Sequence, residues 1–325
     1  MEETQGVQVT MPIRCIVKLG GAAITFKHEL EKINEDNLHV LSSQLRSAIA
    51  GDSCATQKAV SLDWSRRTGI SEISCVENEI EENTLDPSAG FVVVHGAGSF
   101  GHFQASVSGV HRGGLTKSLV KAGFVATRIS VTSLNLEIVR ALARAGIPST
   151  GMSPFSCGWV TSERNMSRAD VSMVTKAVEA GFVPVLHGDA VLDESKGCTI
   201  LSGDIIVRHL AEYFRPQYVV FLSDVFGVYD RPPSDPDANL LREIAVRRDG
   251  TWSVSGIQAV ETSVAAHDTT GGMATKIAEA AAIAKLGINV YIVKAATEHS
   301  LKALRGELLA SIPSDWLGTI IRFVE

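Results

Sequence analysis

Residues 91–102 read FVVVHGAGSFGH and place an apolar run directly before a glycine-rich loop. The run Phe91–His95 predicts a short buried strand. The glycines that follow let backbone N–H groups approach an anion such as phosphate. The loop also fits G-x-G-x-x-G, but dinucleotide binding requires an acidic residue about 20 positions later. The first acid after His102 is Glu137, so we favour a phosphate cradle over a dinucleotide site.

Outward from this stretch, strand-like and helix-like segments alternate along the chain. Strands are predicted at 13–19, 91–95, 183–186, 217–222, 289–293 and 319–324. Helices are predicted at 34–50, 116–145, 167–180, 203–214, 275–286 and 297–305. This alternation indicates βαβ units and a mainly parallel sheet. Ligands bind such sheets at the carboxyl ends of the strands, where the glycine loops are expected.

Composition excludes several classes of protein. The 325 residues are 45% hydrophobic and 20% charged, which is typical of two globular domains or one large α/β domain. A net charge of −6 lacks the basic footprint of a nucleic-acid-binding protein. No apolar run reaches the roughly 18 residues of a membrane span. The N-terminal segment has two acids and no apolar core of a targeting signal, so we expect a cytosolic protein.

The cysteines favour neither a disulfide framework nor a zinc site. They are five in number and scattered, without a C-x-x-C pair. Their positions are Cys15, Cys54, Cys75, Cys157 and Cys198.

Two segments depart from the regular pattern. Residues 51–89 are polar, carry six acids between Glu72 and Asp86, and predict a mobile surface insertion. Residues 231–237 contain three prolines and predict a second exposed loop.

Further candidate residues lie beside other glycines. Lys18 ends the first strand before a Gly-Gly pair, and Lys27 follows nine residues later. Asp204 opens a helix in S-G-D, Asp224 follows a strand in S-D-V-F-G-V-Y, and Lys276 lies on a helix opened by T-T-G-G-M. Ordinary alternatives are solvent lysines, an N-cap and a turn residue. Because the chain lacks a Gly-Lys pair and the protein-kinase motifs, phosphoryl transfer would depend on these groups.

The histidines differ in what they indicate. His95 ends a buried strand, where core packing explains it as well as function does. His102 directly follows the glycine loop, from which an imidazole can reach a bound phosphate. His111 and His187 have no partner at metal-ligand spacing, so we predict no metal cluster.

Together, these motifs resemble the amino acid kinase superfamily over residues 13–324, apart from the insertion. Within it, HGAGSFGH resembles the HGGGSFGH stretch of isopentenyl phosphate kinases, and residues 18–27 match their K-x-G-G-x-x-I-T-x-K pattern. Two positions depart from the family: Ala97 replaces the middle glycine, and Ala22 replaces a common serine. Ala97 keeps its backbone N–H, so its contact survives if its backbone conformation is an allowed one.

The resemblance implies a three-layer αβα sandwich with a mainly parallel central sheet, and a homodimer. It implies a single domain over 11–325, with an acceptor-binding half at about 11–200 and an ATP-binding half at about 201–325. The implied reaction converts isopentenyl phosphate and ATP to isopentenyl diphosphate and ADP. The implied catalytic residues are Lys18, Lys27, His102 and Asp204, with Asp204 orienting the lysines. The implied substrate-phosphate contacts are Ala97, His102 and Gly203. The implied ATP contacts are Lys18, Leu19, Gly20, Gly21, Ala22, Gly98, Asp224, Tyr229, Gly272 and Lys276.

The chemistry that follows needs no general base. A phosphomonoester with a second pKa near 6 is mostly dianionic at neutral pH and can attack directly. Lysines and backbone N–H groups would offset the negative charge, and Mg²⁺ would bridge the ATP phosphates, largely through phosphate and water ligands. Candidates for contacting the isoprenoid tail are Phe103, Phe124, Val125 and Ile129, although packing in the helix core is the favoured interpretation of each. Competing functions are a kinase of a carboxylate, carbamate or nucleotide, and a protein that binds nucleotide without catalysis.

Overall fold

A computed structural model gives the fold of the chain and describes residues 12–51, 60–63, 85, 90–163, 165–249, 252–254 and 272–324. The predicted insertion at 51–89 lies outside the described residues except at 51, 60–63 and 85. Cys54 and Cys75 also lie outside them. Residues 60–63 contact the end of a long helix, where the Leu62 N–H donates to the Ala143 carbonyl at 2.8 Å.

A large sheet forms the centre of the described structure. Its strands are β1 (Cys15–Leu19), β2 (Phe91–His95), β3 (Ser149–Met152), β6 (Val183–His187), β9 (Tyr218–Ser223), β12 (Glu243–Val246), β13 (Trp252–Val254), β14 (Asn289–Lys294) and β15 (Thr319–Phe323). Within the described residues they lie in the order β13-β12-β15-β14-β9-β1-β2-β6-β3. Six of the strand pairings are parallel and two are antiparallel, which confirms the prediction of a mainly parallel sheet.

Helices cover both faces of this sheet. They are α1 (Gly21–Ile24), α2 (Glu35–Ala50), α3 (Gly98–Ser108), α4 (Ser118–Arg144), α5 (Ser172–Glu179), α6 (Gly203–Phe214), α7 (Gly272–Ala284) and α8 (Glu298–Leu304), with short 3₁₀ turns at Val110–Arg112 and Glu307–Leu309. Alternate residues of β1 enter two separate cores, because successive side chains of a strand point to opposite faces. Val17 and Leu19 pack with α2, α4 and α8, whereas Ile16 packs with α5, α6 and α7. The predicted three-layer αβα sandwich is confirmed.

A second, smaller sheet was absent from the prediction. It consists of β4 (Val160–Ser162), β5 (Asn165–Arg168), β7 (Asp189–Asp193) and β8 (Gly197–Leu201), in the order β5-β4-β7-β8. The helix predicted from residue 167 is therefore wrong in its first turn. The Asp170 carboxylate accepts the Ser172 N–H at 2.8 Å, which starts α5 only at Ser172. Two further strands, β10 (Val228–Tyr229) and β11 (Leu240–Leu241), form a hairpin beside the main sheet.

The topology brings three strand ends to one place. β9, β1 and β2 are neighbours at the centre of the sheet, and Leu19 pairs with His95 on one side and Leu222 on the other. The glycine loops that follow β1 and β2 therefore lie side by side at the carboxyl edge. No helix within the described ranges has the length and apolarity that crossing a membrane requires.

Candidate active site

The glycine loop after β1 packs through its backbone against β9 and against the glycine loop after β2. The Gly20 N–H donates to the Leu222 carbonyl at 2.8 Å, and a Cβ at Gly20 would lie 2.6 Å from the same oxygen. A Cβ at Gly21 would overlap the backbone nitrogen of Gly98. Both positions therefore need glycine for close packing. Gly21 and Ala22 begin α1, where the first N–H groups of a helix have no intrahelical acceptor.

Thr25 joins the two loops with its hydroxyl. Thr25 Oγ1 donates to the Gly21 carbonyl at 2.8 Å and accepts the Ser99 N–H at 3.0 Å. Gly98 has φ +55, and a Cβ there would overlap Thr25 Oγ1, so this position also requires glycine. Ala97 has φ −71 and ψ −28, an ordinary right-handed conformation. Alanine in place of the family's glycine at position 97 therefore causes no backbone strain. This is the condition under which the predicted contact of the Ala97 N–H is retained.

Lys18 and Asp204 form an almost buried ion pair at the end of β1. Lys18 Nζ lies 2.7 Å from Asp204 Oδ1, and the two side chains are 8% and 9% exposed. Ser202, rather than Asp204, is the N-cap of α6, because its hydroxyl accepts the Asp204 N–H at 3.2 Å. A Cβ at Gly203 would lie 3.6 Å from Lys18 Cε. Gly203, which is predicted to contact the substrate phosphate, therefore lies against the aliphatic part of the Lys18 side chain.

Lys27 pairs with a different carboxylate. Its Nζ lies 2.7 Å from Asp224 Oδ2, and both side chains are substantially exposed. Burial raises the pKa of Asp224, but the hydrogen bond and charge of Lys27 and the charge of Lys276 outweigh burial and leave this pKa below its ordinary value. Asp224 therefore lies near two of the three predicted lysines. Asp204, which the resemblance gives as orienting the lysines, contacts Lys18, whereas Lys27 contacts Asp224.

His102 lies on the exposed side of α3, close to Lys18. Desolvation by surrounding atoms and then the positive charge of Lys18 lower the pKa of His102 below its ordinary value. The imidazole is therefore mostly neutral at neutral pH, and a bound phosphate would raise its pKa again by adding negative charge.

The other residues predicted to contact ATP differ in how far their side chains are buried. The side chain of Leu19 is fully buried in the core, so only its backbone is open to a ligand, and its carbonyl already accepts the Gly96 N–H at 3.0 Å. Tyr229 ends β10 and is half-buried. Gly272 begins α7, and Lys276 follows on its second turn with 9% exposure.

The predicted tail residues separate into buried and exposed positions. Phe124 packs in a small apolar cluster with Val110, and its ring meets that of Phe155 edge-on at 5.5 Å between centroids. Val125 and Ile129 are exposed on α4 along a groove of about 800 Å³. Phe103 is exposed on α3, directly after His102.

Sequence reasoning missed a contact that fastens the Lys27 loop. Glu31 has φ +51, and its carboxylate accepts from the Ser130 hydroxyl at 2.6 Å and the Gln104 amide at 2.9 Å. This contact joins the loop to α3 and α4. A non-glycine residue with positive φ leaves no mark in the sequence, so no local signal could have found Glu31.

The described residues contain no group of three His, Cys, Asp or Glu side chains that could hold a metal ion. Asp204 and Asp224 are each paired with a lysine.

Comparisons with known proteins point to one family. Residues 14–294 match the family model of the amino acid kinase family. The chain is 66% identical over 319 residues to an isopentenyl phosphate kinase of Arabidopsis thaliana, covering 96% of each chain. It is 31% identical over 303 residues to an isopentenyl phosphate kinase of Methanothermobacter thermautotrophicus, covering 90% of this chain and 95% of the relative. A crystal structure of isopentenyl phosphate kinase matches with a TM-score of 0.66 at 28% identity, covering 90% of this chain and 96% of that chain.

Proposed function

Because the chain belongs to the amino acid kinase family, we propose that it transfers the γ-phosphoryl group of ATP to isopentenyl phosphate. The products are isopentenyl diphosphate and ADP, and the reaction is a step of isoprenoid biosynthesis. The observation that carries this proposal is the 66% identity to an isopentenyl phosphate kinase over 96% of both chains. The contact between two glycine loops beside Lys18 and His102 supports it independently.

The acceptor phosphate acts as the nucleophile without a general base. At neutral pH it is largely dianionic, so the barrier comes from bringing two anions into line rather than from removing a proton. His102 donates a hydrogen bond to an acceptor oxygen. The Ala97 N–H and the backbone of Gly203 complete the proposed phosphate contacts.

Three lysines supply the positive charge. Lys18 is held by Asp204 at the junction of the two loops, where it can face the phosphates of both substrates. Lys27 is exposed and paired with Asp224, so it can leave this carboxylate for the transferring phosphoryl group. Lys276 lies near Asp224 and would bind the ATP phosphates. Positive charge placed where negative charge develops in the transition state lowers the barrier.

ATP is proposed to bind over the loop after β1. The N–H groups of Gly21 and Ala22 face an anion there, while the backbones of Leu19, Gly20 and Gly98 line the approach. Asp224, Tyr229 and Gly272 would contact other parts of the nucleotide. Magnesium would arrive with ATP and neutralise part of its charge.

We propose that a second copy of the chain covers the outer face of α4. Val125, Ile129 and Leu136 share this face at helical spacing and are 54%, 64% and 49% exposed. An exposed apolar stripe of this kind marks an interaction surface, and the resemblance implies that the partner is an identical chain. This assignment leaves Phe103 and Phe124 to contact the isoprenoid tail. Light scattering should give twice the 34.7 kDa chain mass, and a monomer mass would contradict the dimer.

We also propose a cytosolic location. Among the described residues, Cys15, Cys157 and Cys198 are free thiols, which fits a reducing compartment.

Steady-state ADP release tests the proposed reaction. Purified protein with ATP and Mg²⁺ should turn over with isopentenyl phosphate and not with acetylglutamate, glutamate, aspartate, carbamate or UMP. Turnover with one of the other acceptors alone would keep the phosphotransferase and overturn the substrate. No ADP release with any acceptor would favour a protein that binds nucleotide without catalysis.

A further inference from the structure

His95, which ends β2 just before the glycine loop, lies in a buried polar network behind the acceptor site. Its side chain is fully buried, and its ring stacks on that of His187 with 5.5 Å between centroids. Its Nδ1 lies 2.9 Å from the Gly96 carbonyl, and its Nε2 lies 3.1 Å from Asn135 Nδ2. Burial lowers the pKa of His95 to about 3, with smaller contributions from His187 and Lys18, so the ring is neutral at neutral pH.

The contacts of Asn135 decide which nitrogen of His95 carries the proton. The same Asn135 Nδ2 donates to the Val185 carbonyl at 3.0 Å, and a carbonyl only accepts. The atom of Asn135 that faces both partners is therefore the amide nitrogen. Because this nitrogen only donates, His95 Nε2 must accept and Nδ1 must hold the proton. His95 Nδ1–H then donates to the Gly96 carbonyl.

This hydrogen bond orients the next peptide of the loop. In a trans peptide the carbonyl oxygen and the following N–H point in opposite directions. Holding the Gly96 oxygen toward the His95 ring therefore turns the Ala97 N–H away from the ring. The preceding His95–Gly96 peptide is also fixed, because the Gly96 N–H donates to the Leu19 carbonyl at 3.0 Å and the His95 carbonyl accepts the Gly188 N–H at 2.9 Å.

We propose that His95, fixed in its Nδ1–H form by Asn135, is a positioning residue that aims the Ala97 N–H at the acceptor phosphate. The inference rests on the proposed function, in which Ala97 contacts that phosphate. His95 touches no substrate and acts only through the Gly96–Ala97 peptide.

Two amide replacements separate positioning from packing. In His95→Asn, the side-chain nitrogen can take the place of Nδ1 and still donate to the Gly96 carbonyl. In His95→Gln, the amide reaches the place of Nε2 and the donor is lost. We expect His95→Gln to lower kcat/KM for isopentenyl phosphate about 10–100-fold with an unchanged KM for ATP, by analogy with misaligned oxyanion-hole donors and outer-shell ligands. His95→Asn should recover most of this loss, and the exposed His39→Asn on α2 serves as the matched control.

Equal activity of the His95→Asn and His95→Gln variants would overturn the proposal. So would a rise in the KM for ATP as large as the fall in kcat/KM for isopentenyl phosphate. Wild-type turnover is measured first, so failure of the proposed function is distinguished from failure of the role of His95. If both variants fail to fold, ¹⁵N NMR of the wild-type imidazoles decides. A protonated Nδ1 and a bare Nε2 on His95 at neutral pH support the proposal, and the reverse tautomer overturns it.

Discussion

Removing either partner of the Lys18–Asp204 pair should destabilise the protein, with opposite consequences for ATP binding. The charged atoms lie 2.7 Å apart and are more than nine-tenths buried. At an effective dielectric constant near 20, their attraction is about 6 kcal/mol before desolvation is subtracted. Leaving one charge of a buried pair without its partner costs roughly 3–5 kcal/mol. Lys18→Met and Asp204→Asn each remove one charge at little change in volume.

Thermal unfolding without ligand measures this cost. A chain of 325 residues has an unfolding entropy near 0.7 kcal/mol/K, so each single variant should unfold roughly 4–7 °C below wild type. The double variant should lose less than the sum of the two, because it leaves no unpaired charge.

ATP then separates the two variants. Asp204→Asn leaves Lys18 with an uncompensated positive charge, which the phosphates of ATP can neutralise. Its ATP-induced rise in Tm should therefore equal or exceed that of wild type. Lys18→Met leaves a buried negative charge that repels ATP, so its rise should be much smaller. Because the rise follows RT ln(1 + [L]/Kd), titration of ATP turns each shift into an affinity. ATP shifts that fall alike in both variants, or stability losses that simply add, would refute this reasoning.

Three further outcomes follow from the same geometry. Lys27→Ala should lower kcat roughly 100-fold or more, whereas the free energy of unfolding should stay within about 1 kcal/mol of wild type because the Lys27–Asp224 ion pair is exposed. The control is Lys32→Ala, which removes another exposed lysine nearby. Equal kinetics of the two variants would remove the role assigned to Lys27. His102→Ala should lower kcat and raise the KM for isopentenyl phosphate, whereas His39→Ala on the exposed face of α2 should change neither. The pKa of His95 is lowered from about 6.5 to about 3 on folding, so the unfolded state binds more protons between these values. The free energy of unfolding, measured by urea titration, should accordingly fall by up to about 1.4 kcal/mol per pH unit from this group as the pH drops below 6.5. A free energy of unfolding that stays constant down to pH 5 would contradict the buried neutral state of His95.

Segments with a strong local pattern were predictable from the sequence. The strand Phe91–His95 is a continuous apolar run, and the helix Gly203–Phe214 has an amphipathic period. Both were predicted to the residue. By contrast, Ser149–Met152 is a strand through pairing with the distant Val183–His187, and Asn165–Arg168 through pairing with the adjacent Val160–Ser162. The polar and glycine residues of both strands carry no strand signal.

The candidate site shows the same limit. Glycine loops, lysines and aspartates could be found because their chemistry is local to short motifs. The resemblance gave Asp204 as the partner of the lysines but not which lysine it contacts, since Lys18 meets Asp204 only after the sheet places α6 beside β1. Asn135 likewise acts through contacts between distant segments, and nothing in its sequence neighbourhood marks it. Thr25 lies within the K-x-G-G-x-x-I-T-x-K pattern, but its contact with the distant Ser99 does not follow from that pattern.

The most direct test of the central claim is ³¹P NMR of the reaction itself. Purified protein is mixed with ATP, Mg²⁺ and isopentenyl phosphate, and the spectrum is followed over time. The account predicts that the single monophosphate resonance gives way to two coupled resonances of a diphosphate, with one ADP formed per acceptor consumed. Formation of ADP and inorganic phosphate while the monophosphate resonance persists would contradict transfer to the acceptor phosphate.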